Sequence, residues 1–102
     1  MKSPPTASSS HLVLIPSYNP GSKVLATVES ALAHWSPVWV VVDGSNDGSA
    51  EKLQDLAVRR HDLKIIVLPE NRGKGSAVLE GITQAAAAGF THALTMDSDG
   101  QH

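Results

Sequence analysis

The sequence has no cysteine, few aromatic residues and little net charge. Without cysteine the chain can form neither disulfides nor thiolate metal sites, which allows a reducing compartment. A formal net charge of -2, from 8 basic and 10 acidic residues, provides no broad basic surface for nucleic acid or anionic lipid. We therefore expect no nucleic-acid partner. We expect a cytoplasmic location, or the cytoplasmic face of a membrane in a longer parent protein.

Long apolar runs are also missing. No stretch approaches the about 18 consecutive apolar residues that a membrane-spanning helix needs. The opening MKSPPTASSS has no apolar core that would serve a signal peptide. We predict a disordered arm over residues 1–10 and one small domain over 11–102, because single cores usually organise about 100 to 150 residues. No membrane span is expected in this stretch.

Four short apolar runs alternate with three segments of helical spacing. The runs are HLVLI (11–15), VWVVV (38–42), KIIVL (64–68) and HALTM (92–96). The order β-α-β-α-β-α-β, with connections too long for hairpins, predicts parallel strands with helices on both faces. VWVVV lacks polar alternation, which favours a central strand. The predicted fold class is α/β, a three-layer Rossmann-like parallel sheet that is cut off after its fourth strand.

Each helical segment has an apolar face. The predicted faces are Val24, Leu25, Val28, Ala31, Leu32 and Trp35 in the first segment, Leu53, Leu56 and Ala57 in the second, and Val78, Leu79, Ile82, Ala85 and Ala86 in the third, which spans 76–88. Ser22 and Ser49 are candidate N-caps. Gly89 is placed to end the third helix in a left-handed conformation. Trp35 and Trp39 follow the apolar spacing, so we expect both to pack rather than bind a ligand.

A loop follows each predicted strand, and in a parallel sheet all four loops lie at the carboxyl edge. They read PSYNPGS (16–22), DGSNDGS (43–49), PENRGKG (69–75) and DSDGQH (97–102), and we call them the first to fourth loops. Together they supply the aromatic ring of Tyr18, several carboxylates, the cations Arg72 and Lys74, and glycines that let backbone N–H groups approach an anion. That set suits a nucleotide and a divalent metal.

The fourth loop carries two carboxylates one residue apart. Asp97 and Asp99 can converge because Gly100 lets the chain turn directly after them. Mg²⁺ and Mn²⁺ prefer oxygen ligands, and Gln101 adds an amide oxygen. A solvated acidic turn is the alternative interpretation. We expect His102 to lie beside the metal rather than bind it, and the other four histidines to be structural or exposed.

The second and third loops partly match known motifs. PENRGKG is not a P-loop, and Val78 stands where the G-x-G-x-x-G motif needs its third glycine. Its two cations ahead of a helix suit a diphosphate, with a solvent-facing turn as the alternative. DGSNDGS resembles the first half of a calcium loop, but Gln54 stands where such a loop needs glutamate, which argues against calcium binding. We predict that Asp43 accepts hydrogen bonds from a base or ribose, and that Asp47 and Ser49 form the turn and cap the helix.

Four segments in register resemble a known family. VLIPSYNPG, VVVDGSNDGS, NRGKGSAVLEG and TMDSDGQH resemble the N-terminal half of family 2 glycosyltransferases of the GT-A fold, especially those similar to dolichyl-phosphate mannose synthase. The resemblance runs from Leu12 to His102. It implies transfer of a sugar from a UDP- or GDP-sugar to a lipid phosphate or glycan acceptor, with Mg²⁺ or Mn²⁺. It also implies a general base downstream, so this chain would carry the donor and metal site and no catalytic residue.

The resemblance also assigns roles to residues. The implied donor-binding residues are Pro16, Tyr18, Asn19, Asp43, Arg72, Lys74, Asp97 and Ser98, and the implied metal ligands are Asp97, Asp99 and Gln101. Pro16 and Tyr18 would flank the base, and Asp43 would hold the base or ribose. Two positions depart from the family pattern: Pro20 stands where the family often has glutamate, and Val42 where it often has the first of two aspartates.

Two other function classes stay open at this point. A nucleotidyltransferase that makes the nucleotide-sugar would be expected to carry a glycine-rich, basic first loop, and PSYNPGS has little of that character. A non-catalytic, receiver-like Mg²⁺-binding module would be expected to have acids after its first strand, where this chain has Pro16, Ser17 and Tyr18. Both are kept as alternatives to the glycosyltransferase.

Overall fold

A computed structural model describes residues 10–18, 21, 23–44 and 47–96. The elements are β1 (His11–Ser17), α1 (Lys23–His34), β2 (Val38–Asp43), α2 (Ser49–Arg59), β3 (Leu63–Leu68), α3 (Lys74–Ala87) and β4 (His92–Thr95). All seven predicted elements are present in the predicted order. Their bounds differ from the expected ones by one or two residues at most ends, which is the usual precision of a periodicity argument.

The sheet is parallel throughout, in the order β3-β2-β1-β4. This confirms the predicted parallel sheet and the interior position of β2. The chain steps from β1 to β2 to β3 in one direction, and β4 is then added on the other side of β1. The strand order therefore reverses between β1 and β4, where Leu14 pairs with Thr95.

Two cores on opposite faces of the sheet produce the three layers. On one face Val13 and Ile15 belong to a cluster with Leu32 of α1 and Leu53 of α2. On the other face Leu14 belongs to a cluster with residues of α3. Successive strand residues point to opposite faces, so an apolar run without polar alternation feeds both cores. Both central strands are buried almost throughout, as the composition of VWVVV predicted.

The buried face of α3 agrees with the predicted one at Ala85 and at the half-buried Val78, and differs from it elsewhere. Ala77, Gly81 and Ala85 are buried, whereas Leu79 and Ile82 are 64% and 43% exposed. The helix lies so close to the sheet that only small side chains fit beneath it. A Cβ atom added to Gly81 would come within 2.6 Å of Cδ1 of Leu14. The prediction from apolar spacing was wrong for Leu79, Ile82 and Ala86, because it assumed that large apolar side chains face the core and took no account of how closely the helix approaches the sheet.

Two smaller expectations were also wrong. Ser49 is not an N-cap, because Gly48 takes that position with a left-handed φ of 85°. Trp35 lies just after α1 and is 51% exposed. Trp39 packs as predicted, with its ring edge-on to that of Phe90 at a centroid distance of 5.5 Å. The other candidate cap, residue 22, lies outside the described residues.

The end of α3 follows the prediction. Gly89 has a φ of 96°, and its N–H donates to Ala86 O while Phe90 N–H donates to Ala85 O, both at 3.0 Å. These two bonds form a Schellman motif, which satisfies carbonyls that the helix leaves open. The left-handed residue at this position thus ends the helix and turns the chain towards β4.

The four described histidines are exposed, as expected. His11 and His92 occupy paired positions at the start of β1 and β4, and their rings stack at a centroid distance of 4.2 Å. They lie at the amino ends of their strands, on the edge of the sheet opposite the carboxyl edge. No helix in the described part of the chain is both long and apolar enough to cross a bilayer.

Candidate functional site

The candidate site lies at the carboxyl edge of the sheet, where β1, β2 and β3 end together. In open α/β sheets ligands bind outside this edge, at the point where the strand order reverses. That point lies between β1 and β4, and Met96, the last described residue, follows β4 there with its N–H donating to Leu14 O at 3.0 Å. The topology therefore places the start of the first loop and the end of β4 on either side of the reversal.

Asp43, the last residue of β2, holds the third loop. Its Oδ1 accepts a hydrogen bond from Arg72 N–H at 3.0 Å, and its Oδ2 accepts one from Gly73 N–H at 3.0 Å. Asn71 Nδ2 donates to Oδ2 at 3.3 Å and to the Asp43 backbone carbonyl at 3.2 Å. A carboxylate ahead of a helix N-terminus is also favoured by the helix dipole. Asp43 thus organises the approach to α3.

These contacts bear on two predicted roles. An ionised carboxylate has about four lone-pair positions, and the described residues already occupy three of those on Asp43. The side chain is also 2% exposed. The backbone N–H groups of Arg72 and Gly73 are given to this carboxylate, so a diphosphate at the third loop would depend on side-chain cations. Direct contact between Asp43 and a base or ribose stays a prediction.

Gly44 lets the second and third loops touch. Its φ of 71° lies in the left-handed region, and an added Cβ atom would collide with the backbone of Glu70 and Asn71. Its N–H donates to Leu68 O at 3.1 Å. Only glycine satisfies both the conformation and the close approach at this position.

Asp47 joins the first loop to the second. Its Oδ2 accepts a hydrogen bond from Gly21 N–H at 2.9 Å, and its Oδ1 accepts one from Ser49 N–H at 3.0 Å. Hydrogen bonding from Ser49, and then from Gly21, lowers the pKa of the Asp47 carboxyl below its usual 3.8. The predicted turn role of Asp47 is confirmed, with the addition that it spans two loops.

The predicted donor-binding residues of the first loop differ in exposure. Tyr18 directly follows β1 and is 54% exposed at the carboxyl edge. Pro16 is buried inside β1 and pairs with Val41 of β2. The ladder between β1 and β4 ends at Leu14, two residues earlier. Tyr18 is thus available to stack on a base, while a contact with Pro16 stays a prediction.

The two predicted cations of the third loop are both exposed. Lys74 is the first residue of α3. Arg72 borders an open groove of about 400 Å³ between the end of β3 and α3, which is lined also by Leu68 and Leu79. Arg72 and Lys74 follow Asn71 in the sequence. The hydrogen bonds to Asp43 therefore determine the backbone position from which each cationic side chain extends.

Several predicted site residues lie outside the described residues: Asn19, Asp97, Ser98, Asp99, Gln101 and His102. Their roles stay predictions. Within the described part of the chain, no group of three or more His, Cys, Asp or Glu side chains could hold a metal. Asp43 and Asp47, two described carboxylates at the carboxyl edge, both accept bonds from backbone N–H groups. A metal site in the fourth loop stays a prediction, which rests on the preference of Mg²⁺ and Mn²⁺ for oxygen ligands.

Sequence reasoning missed two residues of this edge. Asn71 and Gly44 were not singled out, yet they connect the second and third loops. Short polar residues and glycine after a strand are ordinary turn formers. The sequence therefore held no signal that would pair Asn71 with Asp43 across 28 positions.

Comparison with protein families matches residues 12–102 to "Glycosyl transferase family 2". The chain belongs to this family. The match covers nearly the whole sequence and includes all four loops. It confirms the family expected from the four sequence segments, and it favours the glycosyltransferase over the nucleotidyltransferase and receiver-like alternatives.

The family 2 relatives of this chain have names that describe different products and sugars. The chain is 35% identical over 89 residues to a poly-β-1,6-N-acetyl-D-glucosamine synthase of Staphylococcus epidermidis, covering 84% of this chain and 21% of that protein. It is 31% identical over 97 residues to a dolichol-phosphate mannosyltransferase of Saccharomyces cerevisiae, covering 88% and 35%. It is 32% identical over 95 residues to a polyprenol monophosphomannose synthase of Mycolicibacterium smegmatis, covering 89% and 36%. The chain thus spans between a fifth and just over a third of these relatives.

Proposed function

We propose that this chain forms the donor-binding part of a glycosyltransferase that moves a sugar from a nucleoside-diphosphate-sugar to a lipid phosphate or glycan acceptor. The observation that carries the proposal is the arrangement of the carboxyl edge in a family 2 chain. Asp43 and Asp47 connect the first three loops beside the point where the strand order reverses. Ligands of open α/β sheets collect at such a point.

The base and the diphosphate of the donor each have a candidate partner at this edge, and the fourth loop supplies candidate metal ligands. Tyr18 offers an exposed ring for the base, and aromatic faces stack well on bases. Arg72 and Lys74 offer positive charge for the diphosphate. Asp97, Asp99 and Gln101 would hold Mg²⁺ or Mn²⁺, with Ser98 beside the donor. The chemistry that such a metal would supply is neutralisation of the negative charge on the leaving nucleoside diphosphate.

The sugar and the acceptor are left open by the relatives. Their names refer to N-acetylglucosamine in one case and to mannose in two others. Two of the names refer to lipid carriers, dolichol phosphate and polyprenol monophosphate, and one to a glycan polymer. The proposal therefore names the classes, a UDP- or GDP-sugar donor and a lipid-phosphate or glycan acceptor.

Calorimetric titration tests this proposal. UDP, GDP and their N-acetylglucosamine and mannose conjugates are titrated into the chain with and without Mn²⁺. We expect binding of one nucleotide class that weakens by about tenfold or more when Mn²⁺ is removed or Asp99 is changed to alanine, because Asp99 would help to hold a metal that would offset the charge of the diphosphate.

Asp55→Ala is the matched control, because Asp55 is an exposed acid of α2 outside the four loops. It should bind nucleotide like the unmodified chain. Binding that is indifferent both to Mn²⁺ and to Asp99→Ala would contradict the metal-dependent donor site.

A further inference from the structure

β3 forms one end of the sheet. Within the described residues it pairs with β2 alone. The carbonyls of Asp62 and Leu68 accept hydrogen bonds from Val38 N–H and Gly44 N–H, at 2.9 and 3.1 Å. In a parallel ladder, successive residues of a strand direct their backbone groups alternately to its two sides. The even-numbered residues of β3 therefore bond to β2, and the backbone groups of its odd-numbered residues, such as Ile65, point away from the sheet.

The side chains of this edge do little to prevent pairing with another strand. Natural edge strands are usually protected by an outward charge, a proline or a bulge. β3 reads LKIIVL, and its one charged residue is Lys64. The Lys64 ammonium lies 4.4 Å from the centre of the Trp39 ring. Because Trp39 belongs to β2, this charge is turned inwards over the sheet. The edge is therefore apolar over its whole length.

We propose that this edge binds a second copy of the chain, with the two β3 strands antiparallel about a two-fold axis at Ile65. The hydrogen-bonding groups are self-complementary in this register. Ile65 would exchange two bonds with Ile65 of the second copy. The N–H of Val67 would donate to the carbonyl of Leu63 in the second copy. The N–H of Leu63 already donates to Arg60 O at 3.2 Å, and this register does not require it.

Charge supports the same register. Residues equally far from Ile65 on either side face each other, so Arg60 approaches Glu70 of the second copy. Glu70 is exposed. Arg60 donates two hydrogen bonds to Asp62, and a guanidinium has five N–H donors in all. The contact recurs at both ends of the paired strands by symmetry. This complementarity favours a second copy over an unrelated strand.

Pairing through β3 would leave the candidate functional site open. α3 stands back from this strand, with the open groove of about 400 Å³ between the end of β3 and the helix. In an antiparallel arrangement the carboxyl edges of the two copies point in opposite directions. The dimer is therefore compatible with nucleotide binding, and the inference does not depend on the proposed function.

Sedimentation velocity of the unmodified chain at about 1 µM to 1 mM tests the proposal. The interface is small, so we expect a reversible monomer–dimer equilibrium within this range. Ile65→Pro removes an outward N–H and keeps the ladder with β2, and it should weaken the dimer by about tenfold or more. Glu70→Lys should weaken it by about fivefold, because attraction becomes repulsion at both ends. Glu29→Lys, at an exposed acid of α1, is the matched control and should have no effect.

Hydrogen exchange tests the register. The amides of Lys64 and Ile66 bond to β2 in monomer and dimer, whereas those of Ile65 and Val67 would bond only across the dimer. Exchange at Ile65 and Val67 should therefore slow by about fivefold or more once most of the chain is dimeric. Exchange at Lys64 and Ile66 should not depend on protein concentration.

Three outcomes would overturn the proposal. The first is a chain that stays monomeric up to about 1 mM. The second is a dimer in which the Ile65 and Val67 amides exchange as fast as in the monomer. The third is a folded Ile65→Pro variant that dimerises as tightly as the unmodified chain. If Ile65→Pro does not fold, Glu70→Lys decides, because Glu70 is exposed and lies outside β3, and an unchanged dimer in that variant counts against the register.

Discussion

Two glycines with the same φ angle show what one added Cβ atom does at the carboxyl edge. Gly21 and Gly44 both have a φ of 71°. An added Cβ atom at Gly21 meets nothing within 4 Å, whereas at Gly44 it meets the backbone of Glu70 and Asn71. Backbone atoms held in a loop by hydrogen bonds cannot move aside as a flexible side chain can. The two positions therefore separate conformational strain from steric overlap.

We predict that Gly44→Ala lowers the free energy of unfolding by more than about 2 kcal/mol, because strain and overlap add. Gly21→Ala, the matched control, carries the strain alone and should cost about 1 to 2 kcal/mol. Urea denaturation of both variants measures the difference. Equal losses in the two variants would show that the second and third loops separate easily.

Asp47 makes the stability of the folded chain depend on pH. Its pKa is lowered in the folded chain by hydrogen bonding from Ser49 and Gly21, so its stabilising contribution is complete above its unfolded value and disappears as the pH falls through the folded value. We predict that the stability difference between the unmodified chain and Asp47→Asn is largest near neutral pH and shrinks below about pH 4. Denaturation midpoints from pH 7 to pH 3 measure it. A difference that stays constant across this range would contradict the prediction.

At the scale of one element, α3 is a helix whose small residues face inwards. Ala77, Gly81 and Ala85 recur every fourth position and lie against the sheet. The larger residues Leu79 and Ile82 face outwards. Glycine inside a helix normally costs about 1 kcal/mol relative to alanine. At Gly81 that cost is offset by closer contact with Leu14 and Val41.

We predict opposite effects for the same substitution at two positions of α3. Gly81→Ala should destabilise the chain by about 1 to 2 kcal/mol, because overpacking against the buried Leu14 outweighs the gain in helix propensity. Gly75→Ala, where an added Cβ meets nothing within 4 Å, should stabilise it by up to about 1 kcal/mol. Thermal unfolding followed by circular dichroism compares the two variants. Stabilisation by both changes would mean that α3 can move away from the sheet.

At the scale of the whole molecule, stability should decrease from the centre of the sheet to its edges. β1 and β2 each pair on both sides and are buried. β4 pairs only with β1 and all four of its residues are exposed. Regions with few buried contacts open at lower free energy than the core. The strand that leads into the fourth loop is therefore the least protected of the four.

We predict that the amides of Val40 and Val41 exchange with solvent at least about tenfold more slowly than those of Leu94 and Thr95. Hydrogen exchange followed by NMR measures both sets in one sample. Addition of Mn²⁺ with the bound nucleotide should slow exchange in β4 more than in β2, because ligand binding at the carboxyl edge stabilises the part that opens most easily. Equal protection of β2 and β4 would contradict this gradient.

The sequence by itself determined the elements, their order and the edge at which the loops meet. Runs such as VWVVV and the helical spacing of α1 and α2 are local patterns, and parallel pairing follows from connections too long for hairpins. A local pattern can be recognised within one stretch of chain. The family resemblance was likewise visible in four short segments of the sequence.

Only the tertiary structure decided which groups the loops offer to a ligand. Asp43 meets residues 28 to 30 positions away, and Asp47 meets Gly21 across 26. The inward face of α3 was decided by its distance from the sheet, which turned large side chains outwards. Such contacts depend on the relative positions of segments that are distant in the sequence. The periodicity of a single segment carries no information about those positions.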